Sequence, residues 1–186
     1  LSLCNKNMVN MIPNNNDGKA KHDLLADVCY AAKFEAESLK TYREQYDAEY
    51  SSGSGFTLCT MLARSFADIG DIVRGKDLYR GNNGKDKAQK LKLQDNLNKI
   101  FNDIKNTNPR LNDLTDDQIR EYWWALNRKE VWKAMTCDAR DNAQYFRATC
   151  GGEENKSTRA SHKCRCTKQN ADQVPTYFDY VPQYLR

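Results

Sequence analysis

No run of eighteen consecutive apolar residues occurs in the 186-residue sequence, which argues against a membrane-spanning helix within it. The opening LSLCNKNMVNM lacks the basic start and long apolar core of a secretory leader, and reads like the interior of a longer protein. The closing YFDYVPQYLR stops on an aromatic-rich run where a further packed element is expected to begin. Histidine is scarce. The only two, His22 and His162, stand in polar surroundings, and no cysteine has a context that would activate it as a nucleophile. No cysteine pair has CxxC spacing, no internal repeat or sustained heptad is found, and no segment reads convincingly as a strand. A phosphate loop is missing too. In DIGDIVRGKDLYRGNNGKDK, residues 68–87, Gly84-Lys85 is followed by Asp86 rather than Ser or Thr, and Tyr79 stands where the first glycine belongs.

Cysteine itself is plentiful, with seven at positions 4, 29, 59, 137, 150, 164 and 166. Scattered spacing favours disulfides in an oxidising compartment, and the odd count leaves at least one without a partner in the chain. The net charge of +4 is unevenly spread. Residues 1–73 carry seven Lys/Arg against ten Asp/Glu, whereas residues 74–92 carry seven against two. Residues 156–168 add five cations and no acid. That asymmetry suggests an anionic partner, against the plainer alternative of solvated helix faces.

Helical spacing dominates. Leu25, Val28, Ala32, Leu39, Tyr42 and Tyr46 predict an amphipathic helix over 23–50, ended by SSGSG. Leu58, Leu62, Phe66, Ile69 and Val73 predict a second over 56–73. A Gly/Asn-rich loop leads to a third over 86–106 with Leu93, Leu97, Ile100 and Ile104 inward, closed by Asn108-Pro109. Thr115 and Gln118 form a capping box, with Asp116 and Asp117 suited to the positive helix end. The fourth helix then carries Ile119, Tyr122, Trp123, Leu126, Val131 and Met135 inward to about Cys137, and the segment to Cys150 is read as helical as well. The expected fold is all-α, with long helices packed antiparallel and long polar loops.

Each candidate for chemistry has a structural explanation. Cys150, His162, Cys164 and Cys166 could bind zinc, but the one-residue gap in CRC is too short for the usual ligand pairs, and disulfides are the better reading. Asp68 and Asp71 straddle one helix turn and are expected to face water. Trp123 fits the buried stripe, whereas Trp124 lies off it. Asn155-Lys-Ser is a formal glycosylation sequon. No enzyme emerges, and no cofactor or metal is implied.

The segments LCNKNM, HDLLADVCYAAKFE, LCTMLARSFADIGDIVRGKDLYRGN, YWWALNRKEVWKAMTC, YFRATCGG, KCRC and VPTYFDYVPQYLR follow one another in a known order. Together they resemble the alpha-type Duffy-binding-like domain of the variant erythrocyte membrane protein of Plasmodium falciparum. The resemblance covers nearly the whole chain, with hypervariable-looking stretches at 10–20, 82–115 and 151–172. It implies a cysteine-bridged helical fold of three subdomains, exposed on the infected erythrocyte and used for adhesion. Residues 1–50 would be the end of the first subdomain and a leading helix, 51–175 the helical core of the second, and 176–186 the start of the third. Cys137, Cys150, Cys164 and Cys166, with Arg-Glu-Tyr at 120–122, match a subgroup of the family. The family pattern also implies a Cys59–Cys137 bridge, and partners outside this chain for Cys4 and Cys29.

The function implied is binding of host red-cell or endothelial surface receptors by a variant surface antigen, without insertion of this segment into the membrane. Arg74, Lys76, Arg80, Lys85, Lys87, Lys90 and Lys92 are the candidates to hold sulphated glycans such as heparan sulphate. Two rivals stand beside this: a spacer whose neighbouring domain binds the receptor, and a helical nucleic-acid binder using the same lysines. Cysteine usage and the lack of a recognised motif weigh against the last.

Overall fold

The computed structural model describes residues 19–49, 58–151, 157–167 and 173–186. They contain four α-helices: α1 (Ala20–Glu49), α2 (Leu58–Arg74), α3 (Gly84–Asn106) and α4 (Asp116–Met135). Single 3-10 turns follow at Pro109–Leu111, Phe178–Tyr180 and Gln183–Leu185. No strand is formed among the described residues, and no helix there is long and apolar enough to cross a membrane.

Local chemistry sets the helix ends. The Thr115 hydroxyl accepts from the Gln118 backbone N–H while the Gln118 side chain accepts from Thr115 N–H, which is the expected capping box. Asn83 caps α3 by accepting from Asp86 N–H at 2.9 Å. Gly75, at φ +74°, turns α2 off: its N–H donates to Ile72 O and that of Lys76 to Asp71 O, the paired bonds of a Schellman ending.

Helix α2 is antiparallel to both α1 and α4. Ser65 meets Glu35, and Lys40 and Arg43 stand with Leu58 around one cleft. Arg74 of α2 meets Glu121 near the start of α4, and Phe66 meets Trp132 farther along it. Helices α1 and α4, in contrast, run parallel. Lys21 accepts from Trp123 near their starts, and Cys29 feels Glu130 farther on.

The stripes of α2 and α3 are buried as the spacing predicts, through Leu62, Phe66, Ile69 and Val73 and through Leu93, Leu97, Ile100 and Ile104. That of α4 is not. Tyr122 and Leu126 are exposed, Leu126 by 81%, whereas Trp124 and Trp132 are both 0% exposed. The reason is that α4 has neighbours on two sides. Trp123 turns toward α1 and α3, edge-to-face with Phe101 at 6.2 Å, while Trp124 and Trp132 turn toward Phe66 of α2 at 5.1 and 5.2 Å. Gly70 makes the α2–α4 approach possible, because a Cβ there would lie 2.8 Å from Trp124 Cζ2. On α1, Tyr42 is also exposed, and the Tyr46 side chain lies outside the described residues.

The segment after α4 is not helical. Its backbone pairs with a later one instead: Tyr145 N–H donates to Ala160 O, Cys164 N–H to Ala143 O, and Cys150 and Thr158 exchange both bonds. A helix through 138–150 would forfeit these partners.

Candidate functional site

The seven cations at 74–92 divide into two sets. Arg80, Lys85, Lys87 and Lys92 are exposed on the loop after α2 and the first turns of α3, and none pairs with a described residue. Lys76 is also exposed but forms an ion pair with Glu121. Arg74 and Lys90, expected as receptor contacts, are instead buried, and their charges are matched internally by Asp71 and Asp77. Arg74 Nη2 donates to Asp71 at 3.0 Å and to the Asp179 carbonyl, and its Nε donates to Gly70 O. Lys90 Nζ donates to Asp77 Oδ2 at 2.8 Å and to Asp77 O at 3.2 Å.

Asp77 organises the loop. Besides Lys90 it accepts from Tyr79 N–H at 3.1 Å and from Gln183 Nε2 at 3.1 Å, while Gln183 Oε1 accepts from Leu78 N–H at 2.7 Å. Farther along, Gly81 at φ +87° packs so closely that a Cβ would sit 2.7 Å from Lys87 N. The exposed cations therefore project from a braced loop and a capped helix.

Behind them lies a buried ionic network that joins α2 and α4 to the C-terminal segment. Asp179, fully buried, accepts from Trp124 Nε1 at 2.9 Å and from Arg128 Nε and Nη2 at 2.7 and 2.9 Å. Arg128 also lies over the rings of Phe66, Tyr177 and Tyr180. Arg186 pairs with Asp71 and, at 3.5 Å, with Asp68. The expectation that Asp68 and Asp71 face water is corrected: both are drawn into this network by Arg186. Burial pushes the Asp68 carboxyl up to about 6, with Arg186 opposing the shift. At Glu121 burial raises and Lys76 and Arg74 lower, and the cations win, holding the carboxyl below its ordinary range. Burial lowers the Arg120 guanidinium, which donates to Val73 O and to Asn98. These bonds make the charges structural.

The cysteines correct the implied pairing. Cys59 bonds to Cys164, across 105 residues, and Cys150 to Cys166, across 16. Cys137 and Cys29 are bonded to no described cysteine. The implied Cys59–Cys137 bridge is not formed, because the Cys59 sulfur is bonded to Cys164; Cys137, past the end of α4, lines a recess with Lys33 and Ala36 of α1 and Leu58 and Leu62 of α2. Cys164 is instead brought to α2 by Trp132 Nε1, which donates to its carbonyl at 3.1 Å. Burial raises both free thiols, that of Cys29 to about 11 with Glu130 adding to the shift. His162 is exposed, and no group of three metal-ligating side chains occurs among the described residues. Asn155 lies outside them, so the sequon is not described.

Sequence reasoning missed Asp77, Arg128, Asp179 and Gln183. The Asp71–Arg74 pair had a signal, since residues three apart share a helix face. The Asp77–Gln183 contact, 106 residues apart, had none.

A family model described as the Duffy binding domain matches residues 1–186. The chain is similar to the solved NTS-DBL1(alpha-1) domain of Plasmodium falciparum membrane protein 1 (PfEMP1) from the varO strain, at 36% identity and a TM-score of 0.73, covering 98% of this chain and 39% of that one. It is also similar to the PfEMP1 IT4var13 DBLbeta domain solved bound to ICAM-1, at 29% identity and a TM-score of 0.60, covering 91% and 36%. The Duffy receptor gamma form of Plasmodium knowlesi is 28% identical over 112 residues, 60% of this chain and 8% of that protein. The chain thus spans under two fifths of these solved domains and a small part of the receptor.

Proposed function

The chain belongs to the Duffy binding domain family, and from that premise we propose that it is part of a host-receptor adhesion module, displayed outside the infected cell, whose exposed basic surface binds sulphated glycans. The observation that carries the reading is the set Arg80, Lys85, Lys87 and Lys92, four solvent-facing cations unpaired among the described residues. A sulphated chain offers closely spaced anions, and such a surface meets them by summed Coulomb attraction, with no single indispensable contact. Ion screening at about 8 Å in physiological salt makes that attraction salt-sensitive. Under the same reading, residues 1–50 close a first subdomain, 51–175 form a second and 176–186 open a third.

The test is elution from immobilised heparin in a salt gradient. The fourfold variant Arg80→Glu, Lys85→Glu, Lys87→Glu, Lys92→Glu should lose retention while keeping the parent's helical circular dichroism. Duplex DNA should not retain the parent to a matching salt, which separates glycan recognition from a nucleic-acid role. Elution of parent and variant from heparin at one salt concentration would refute the reading. A protein receptor is the second reading, favoured by the related DBLbeta domain bound to ICAM-1 and by the exposed Tyr177, Tyr184 and Leu185.

A further inference from the structure

The loop that carries Lys76 and Arg80 runs between two glycine turns, at Gly75 and Gly81. Between those turns, the N–H groups of Leu78 and Tyr79 are bonded by side chains and not by the backbone: Leu78 by Gln183 and Tyr79 by Asp77. Gln183 uses both ends of its amide, accepting from Leu78 and donating to Asp77. Asp77, with a side chain only 5% exposed, spends its other oxygen on Lys90 of α3. A planar amide matches this donor-and-acceptor pair, and an apolar side chain of the same size would satisfy neither group.

We infer that Gln183 and Asp77 are positioning residues for the basic surface, so that anion binding by the loop depends on how the turn Gln183–Leu185 is held. The inference rests on the reading of that surface as an anion site. It separates two groups of cations. Arg80 depends on the brace, whereas Lys76 is held by Glu121 and Lys92, two turns into α3, is placed by the helix itself. The buried Lys90 serves as a strut, its charge matched by Asp77.

Hydrogen exchange and heparin elution of the 186-residue chain test this separately. Gln183→Ala should speed exchange of the Leu78 amide by about tenfold, the order expected for loss of one hydrogen bond, with protection in α2 and α4 unchanged. Arg80→Glu should lower the heparin elution salt in the parent and by less than half as much in the Gln183→Ala background. Lys92→Glu should lower it equally in both. A generally weakened fold would affect the two cations alike. Unchanged Leu78 exchange overturns the inference, and so does an Arg80 effect of equal size in both backgrounds. If heparin fails to retain even the parent, the anion reading fails, and exchange alone decides whether Gln183 positions the loop.

Discussion

Replacing Gly70 with alanine tests the closest approach in the helical core. In a solvent-exposed helix interior this change stabilises by roughly 0.5–1 kcal/mol. Here the new methyl carbon would lie 2.8 Å from Trp124 Cζ2 and 2.9 Å from Cε2, both closer than real Cβ contacts allow. The indole has little room to retreat. It is fully buried, packs on Phe66 and is tethered to Asp179 at 2.9 Å. Overpacking of this kind costs about 1–3 kcal/mol, and displacing the indole from a buried carboxylate adds about 1–3 kcal/mol. After the helix gain is subtracted, Gly70→Ala should destabilise by about 1–5 kcal/mol. For a domain of this size that lowers Tm by roughly 2–20 °C. Thermal and urea unfolding, followed by circular dichroism, would measure it. The same substitution made with Trp124→Leu should cost much less, because the flat ring that blocks the methyl is gone. A Gly70→Ala variant as stable as the parent would refute the argument.

Trp124→Ala should cost about 3–5 kcal/mol, whereas Leu126→Ala, at an exposed position, should stay within about 0.5 kcal/mol in urea unfolding. Non-reducing peptide mapping should recover Cys59 joined to Cys164 and Cys150 joined to Cys166; Cys59 joined to Cys137 would contradict the structure. Removing the first bridge should cost about 4–5 kcal/mol in the chain-entropy model and the second about 3 kcal/mol. Because the folded Asp68 carboxyl sits near 6, above its ordinary 3.8, it stabilises the fold most fully below pH 3.8, and that contribution is lost as pH rises through 6. The stability of Asp68→Asn relative to the parent should therefore increase between pH 4 and 7, and a decrease over that window would reverse the assignment.

The parts of the fold legible in the sequence are those decided by one face or one cap. Helices α2 and α3 each bury a single stripe, and the Thr115–Gln118 box is a local bond pattern, so spacing suffices for them. Helix α4 defeats the same logic because Trp123 and Trp124, adjacent in sequence, bury against different neighbours. The segment from 138 to 150 gets backbone partners from 157–164 instead of from its own next turn, and no local pattern announces them. The basic surface was legible as a charge excess but not as geometry. Counting cannot tell Lys92, which faces solvent, from Lys90, which Asp77 holds. The partner of Cys59 was not legible, because both Cys137 and Cys164 follow α4 far along the chain and nothing local distinguishes them; the folded chain bonds Cys59 to Cys164, whose carbonyl accepts from Trp132.

The two disulfides meet at a Cys-Arg-Cys triplet whose outer members bond in different directions, Cys164 into the helices and Cys166 back to Cys150. The polar stretch between Cys150 and Cys164 is therefore fastened at both ends, independently of its own composition. Doubling the length of such a tethered loop costs only about 0.6 kcal/mol in closure entropy. Side chains can be exchanged at its exposed positions, such as Arg159 and Ser161, while Ala160, which is buried and accepts from Tyr145 N–H, keeps its place beside the helices. Changes at those exposed positions leave the bridges, and the helices they fasten, untouched.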